Sequence, residues 1–246
     1  MATGKDEKAI TLTQRLGHLK NQRSTWEKHW QDLADFVVPR KADITKKRSQ
    51  GEKRVERSFD STAMHSAELL SASLHGMLTN PSTPWFSLRY VNEELDGNDE
   101  ANEWLQKAEK VLYRAFARSN FQEQIHELYH DLVVFGTGVM FVEEDDDFML
   151  RFSTRHISEC YLSENEHGRV DTVYREFQMP ARSCINRFGK DKVSQKMLKK
   201  AQESPFEFVT IHHAVFFRDD YDKTKFNAEN KPIASIYFDA DEDIFL

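Results

Sequence analysis

Apolar residues in the first part of the chain recur at steps of three and four, the spacing that places them on one side of an α-helix. Leu12, Leu16, Leu19, Trp26, Trp30, Leu33 and Val37 form such a seam, interrupted once at Arg23, and predict one long helix over about 11–38. Pro39 ends it, because proline disfavours the helical region for the residue before it. A second stripe of Ala63, Ala67, Leu70, Leu74 and Met77 predicts a helix over 60–79, with Asp60 as N-cap accepting from the free amides of the first turn. Ser61, Ser66, Ser71, Ala72 and Ser73 make this helix thin, as suits a crowded interior. Asn80-Pro81 stops it, and Pro84 fixes the backbone ahead of Trp85-Phe86, so two large aromatics are presented as a structural anchor against the same helix.

Asn98 or Asp99 caps a third helix, lined by Ala101, Trp104, Leu105, Ala108, Leu112 and Ala115. Asn120, with Glu123 three residues on, has the spacing of a capping box for a fourth helix striped by Phe121, Ile125, Leu128, Leu132 and Phe135. After Gly136 and Gly138 the period drops to two. VMFVEE and FMLRFS flank Asp145-Asp146-Asp147 as a hairpin, and YLSENEHGRVDTVYREF predicts a second strand pair turning at Glu166-His167-Gly168. Pro180 opens a short helix through Phe188, ended by Gly189, and a basic helix follows over about 192–202. FEFVTIHHAVFF and PIASIYF alternate as strands joined by the polar stretch 219–231. The fold class is α+β: a disordered N-terminus at 1–10, a helical part at 11–137, then a mostly antiparallel β part at 138–246 with a small helical insertion. The sequence ends DADEDIFL, apolar residues directly after an acidic run without a cap, which suggests truncation.

Composition narrows the class. With 39% hydrophobic and 30% charged residues in 246, the chain can bury a sizeable core and is not of disordered type. Cys160 and Cys184 make no disulfide framework or zinc spacing. The first ten residues lack a signal-peptide hydrophobic region, and the longest uncharged run, 132–142, is too short to span a bilayer, so no membrane partner is expected. Against a formal net charge of −7, the segment 40–57 stands out. Arg40, Lys41, Lys46, Lys47, Arg48, Lys53, Arg54 and Arg57 are eight cations against Asp43, Glu52 and Glu56, a net +5. Such a run is either a solvated, mobile loop or an electrostatic contact with phosphates or a neighbouring subunit's acidic surface, such as 143–147 or 239–243. It lacks the interleaved aromatics of a dedicated single-strand binder.

One motif carries hydrolytic chemistry. His126-Glu127-Leu128-Tyr129-His130 is H-E-x-x-H, which places two imidazoles on one helical face with a glutamate as general base, so a zinc hydrolase is one alternative reading, beside a nucleic-acid-binding module using the basic segment 40–57. Its surroundings disagree: Asp131 follows the second histidine directly, no third-histidine extension follows, and the stripe through Ile125, Leu128 and Leu132 leaves both histidines on a flank. There is no G-x-S-x-G, P-loop or dinucleotide fingerprint. His212 and His213, adjacent on a strand, point to opposite faces and do not chelate together. No catalytic residue, cofactor or metal is assigned.

Several long segments share a patterned likeness. The run LLSASLHGMLTNPSTPWFSLRY with its lead-in RSFDSTAMHSAELLSASL, the start TLTQRLGHLKNQRSTWEKHWQDLADFVVPR, the join LYHDLVVFGTGVMFVEED and the stretch CYLSENEHGRVDTVYREFQM resemble the head-to-tail connecting proteins of short-tailed bacteriophages, the portal family. The resemblance implies a structural, non-enzymatic subunit whose wing-like part is represented here. It implies a homo-oligomeric ring of about a dozen copies at the capsid portal vertex of a virion assembled in the host cytoplasm. Its implied partners are the major capsid protein, a tail adaptor, the terminase packaging motor and double-stranded DNA passing without sequence specificity.

Overall fold

The computed structural model describes residues 7–246 except 50, 92–96, 219–220, 223, 226 and 228–229. The elements, in order, are α1 (Glu7–Val37), α2 (Thr62–Leu78), α3 (Asp99–Arg118), α4 (Phe121–Phe135), β1 (Val139–Asp145) and β2 (Met149–Arg155). They continue with β3 (Cys160–Glu164), β4 (Val170–Pro180), α5 (Ala181–Phe188), α6 (Gln195–Glu203), β5 (Phe208–Phe217), β6 (Ile233–Asp239) and β7 (Ile244–Phe245). Helices first and antiparallel strands after make the fold α+β. The helix α1 begins inside the stretch expected to be disordered, and residues 1–6 lie outside the described part. Part of the polar stretch 219–231 also lies outside it.

Compact units do not divide at 137/138. One combines 1–26 with 159–246, and the other is 27–158. The physical reason lies in which cores the side chains join. In the first unit, β3-β4-β5-β6-β7 form a five-stranded antiparallel meander. Leu12, Leu16 and Leu19 of α1 cover one face, against Tyr161, Tyr174, Ala214 and Phe238. Ala181 and Cys184 of α5 and Met197 of α6 cover the other, against Val209 and Ile211. Covered on both faces, β5 is buried from Ile211 through Ala214, its two histidines included. The two cysteines are buried and are not joined in a disulfide.

Arg23, which interrupts the seam of α1, lies 3.7 Å over the Tyr161 ring and donates to the Cys160 carbonyl at 2.6 Å. His212 and His213 face opposite sides as alternation demands. His212 Nε2 lies 3.3 Å from Glu176, while His213 Nε2 meets Ser235 Oγ at 2.9 Å and its ring stacks on Tyr237 at 4.1 Å.

In the second unit, Trp30, Ala34 and Val38 pack with Ala67, Val134, Phe135 and Ile157. A second cluster joins Phe121, Ile125, Tyr129 and Phe152, with Leu74, Trp85 and Phe116 packed against it. Because Phe152 lies in that cluster, the hairpin β1–β2 belongs with the helices. Gly136 caps α4 in the left-handed region at φ 71°, a conformation that favours glycine where the helix turns into β1.

Several predicted details differ. Along α2 only Ala67 and Ser71 are buried, while Ala63, Leu70 and Met77 of the expected stripe face outward. Asp60 accepts from Thr62 N–H at 2.8 Å, one residue ahead of the geometric cap Ser61. The capping box does not form, because the Asn120 side chain exchanges hydrogen bonds with the Phe152 backbone at 2.8 and 2.9 Å. On α4, Tyr129 and Val134 are buried where Leu132 was expected. Only Ala115 of the α3 stripe is fully buried, and Asn98 is its cap. Trp26 is exposed despite its place in the seam, and α6 begins at Gln195 rather than near 192.

Among these elements Glu176 gives a pH signature. The His212 hydrogen bond, aided by the Lys20 ion pair, outweighs burial and holds its carboxyl at about 2. A depressed folded pKa stabilises the native state above the unfolded value of about 4.3, and that contribution is lost as pH falls toward the folded value. Glu176→Gln is expected to lower the urea midpoint at pH 7, and the deficit should shrink as pH falls from about 4 toward 2. A deficit independent of pH would mean the carboxylate contributes no ionic stabilisation.

Candidate functional site

The basic segment 40–57 is organised by two polar residues one turn apart on α1. Gln31 is buried, and its Nε2 donates to Asp35 at 2.9 Å and to the Ala42 carbonyl at 2.6 Å. Its Oε1 accepts from the backbone N–H groups of Ile44, Thr45 and Lys46 at 3.2, 2.9 and 3.3 Å. One side chain thus pairs three consecutive loop amides that the chain does not satisfy by secondary structure. Asp35, itself 1% exposed, collects Arg57 at 3.1 Å, Arg48 at 3.4 Å and Lys46 at 3.6 Å. Burial opposes its ionisation, but hydrogen bonds from Arg57 and Gln31 and the charges of Lys46 and Arg48 win, holding the carboxyl below the usual range.

The remaining cations are used in the same way. Arg48 and Arg54 converge on Asp43 at 3.1 and 2.7 Å, and burial of that carboxyl is again outweighed by its arginine partners. Arg40 pairs with Glu127 of α4 at 2.9 Å. Lys41 pairs with Glu127 at 3.0 Å and with the buried Asp131. Lys47 and Lys53 have no ion pair among the described residues. The segment is therefore held by its own chain, and the mobile-loop reading gives way to a clamped one. Gln31, Asp35 and Asp131 were not anticipated as partners, although a Gln and an Asp spaced four apart, adjoining the apolar positions Trp30 and Ala34, were a legible signal.

Trp85 and Phe86 are half-buried and dock chiefly on α3 and α4. Trp85 stacks on Phe121 at 5.7 Å and Phe86 on Tyr113 at 4.4 Å, whereas α2 contributes Leu74 to this cluster. Both backbone N–H groups donate to the Tyr113 hydroxyl at 2.8 Å, and that hydroxyl donates to the Phe86 carbonyl at 2.7 Å. One phenol therefore pins the turn after the Pro84 restraint.

The histidines of His126-Glu127-Leu128-Tyr129-His130 face Glu68 of α2, at 3.2 and 3.6 Å. Glu127 turns instead to Arg40 and Lys41, which outweigh its burial and hold its carboxyl low. Burial, with the charges of Lys41 and Arg40, pushes His130 down and favours its neutral form. A general base tied to two cations, away from the imidazoles, does not reproduce zincin chemistry, and among the described residues no three His, Cys, Asp or Glu side chains are arranged to hold a metal. The zinc-hydrolase reading has no support here.

Among the described residues, 40–57 and the Trp85-Phe86 turn are tied to their own chain by ion pairs, hydrogen bonds and ring contacts. Residues 9–246 match the family described as bacteriophage head to tail connecting protein, so the chain belongs to that family. It is 32% identical over 234 residues to a probable portal protein of Bordetella phage BPP-1 and 31% identical over 234 residues to the portal protein of Salmonella phage epsilon15. Each match covers 94% of this chain, and the chain spans 42% of each relative's length. No described helix is long and apolar enough to cross a membrane.

The clamp makes a sharp contrast between neighbours. Asp35→Asn keeps the shape but removes the buried anion on which the largely buried Arg48 and the half-exposed Arg57 and Lys46 converge, and is expected to cost about 1.5–3 kcal/mol in urea unfolding. Asp32→Asn, whose side chain is 62% exposed and which also pairs with Arg57, should cost no more than about 0.5 kcal/mol. Equal costs would show that Asp35 is not the organising anion.

Proposed function

We propose that this chain forms part of a structural portal subunit, one of about a dozen copies in a ring at the capsid vertex. Double-stranded DNA enters and leaves through the ring, and the tail attaches to it. The observation that carries this reading is the match to the connector family across nearly the whole chain, together with two portal relatives aligned over 94% of it. The subunit's partners are further copies of itself, the major capsid protein, a tail adaptor and the packaging motor, and its place is the virion after assembly in the host cytoplasm. Its role is architectural and not catalytic.

Electrostatics are compatible with passage of DNA without capture. The chain carries a net −7, and six of the eight cations of the basic segment already face carboxylates of their own chain. A surface that neutralised many phosphates would release counterions and hold DNA tightly, which a conduit must avoid. The test is mass photometry of the protein expressed from its full coding sequence. Closed particles of one uniform mass, near twelve protomers, are expected. A protein that stays monomeric at micromolar concentration in both low and high salt would contradict the portal reading.

A further inference from the structure

The five-stranded sheet has two edges, and they are finished differently. At the β3 edge, Arg23 of α1 donates to the Cys160 carbonyl and lies over the Tyr161 ring. At the other edge, β7 covers only one end of β6. Phe245 pairs with Phe238 and Ile244 with Asp239, and Leu246 N–H donates to the Tyr237 carbonyl at 3.0 Å. The remainder of β6, from Ile233 to Ile236, has β5 on one side and, among the described residues, no strand on the other.

Alternation along the strand decides which backbone groups face that open side. The Pro232 carbonyl accepts from Arg218 N–H on the β5 side, whereas the Tyr237 carbonyl accepts on the β7 side. Ala234 and Ile236 therefore turn their amides and carbonyls to β5, and Ile233 and Ser235 turn theirs to the open side. An edge with free amides and carbonyls is a template for a further strand.

We propose that the residues following Leu246 in the full-length protein continue β7 along β6 and close this edge. The inference rests on the portal reading above, since this chain spans 42% of each portal relative's length. The direction of β7 carries it: the strand runs antiparallel to β6, and Leu246 is already in hydrogen-bonded register, so no turn or bulge is needed to go on. The faces agree as well. Phe245 lies with Phe238 in the cluster under α1, and Leu246 with Tyr237 in the cluster under α5 and α6. Carried forward in the same register, the second and fourth residues beyond Leu246 fall opposite Ser235 and Ile233 and pair their backbone groups. The first and third fall opposite Ile236 and the buried Ala234 on the α1 side, so apolar residues are expected there. A strand donated by a second copy is the competing occupant. Continuity with β7 favours the chain's own residues, which enter the open register directly.

Two measurements on the full-length protein test this. In hydrogen exchange of the wild type, the Ser235 amide is expected to exchange as slowly as that of Ala234, which donates to β5. To identify the occupant, Ser235→Cys is labelled with a benzophenone maleimide, Cys160 and Cys184 being buried. Isotopically light and heavy protein are mixed in equal parts before photo-cross-linking and mass spectrometry. The expected cross-link joins position 235 to the residues just after Leu246 within one isotopic species. Fast exchange at Ser235 would overturn the proposal. So would a cross-link to any other segment, a cross-link between light and heavy copies, or a coding sequence that stops at Leu246. A wild type that forms no rings, yet keeps Ser235 protected by its own following residues, would contradict the portal reading and leave the strand standing.

Discussion

The structure of residues 27–158 depends on one buried carboxylate. Asp35, seated on α1 beside Gln31, gathers Arg48, Arg57 and Lys46 and so folds back a segment that would otherwise repel itself. A buried anion without partners would cost several kcal/mol, whereas one with hydrogen-bonded partners on several sides is tolerated and fixes geometry. Gln31 adds the backbone half of the same constraint by accepting from consecutive loop amides. With 40–57 held, Arg40 and Lys41 are delivered to Glu127 and Asp131, so α1 and α4 are tied through charge as well as through the cluster of Trp30, Ala34, Val134 and Phe135.

How much of this was legible in the sequence depended on whether the signal was local. Helix α1, the Pro180–Gly189 helix, both hairpins and the opposite facing of His212 and His213 follow from periodicity, proline and glycine alone. Pairings across long separations were not legible. The sequence shows eight cations in 40–57 but not that Asp35 or Asp131 lies within reach. Nor does a stripe of Ala63, Leu70 and Met77 say which side of α2 is inside, because that helix is apolar on both and the thin side went in. Asn120 shows the same limit: its spacing to Glu123 fits a capping box, yet the Phe152 backbone competes for the side chain and wins.

The candidate chemistry was lost for a related reason. H-E-x-x-H is a statement about one helical face, and it holds here, but catalysis also needs the glutamate free and turned toward the imidazoles. The cations that neutralise Glu127 come from a segment more than eighty residues earlier, at 2.9 and 3.0 Å. Among the described residues several apolar side chains also face outward, Leu69, Leu70 and Met77 of α2 among them.

The clamp on 40–57 is the central claim, because it decides whether the cations belong to the fold or to a ligand. Hydrogen exchange of the Ile44 and Thr45 amides in the full-length protein tests it most directly, since both donate to the buried Gln31. Slow exchange that is unchanged between low and high salt is predicted, because buried pairs are little screened. Exchange at unprotected rates, or protection that vanishes in high salt, would show instead that the segment is free and held only by surface charge.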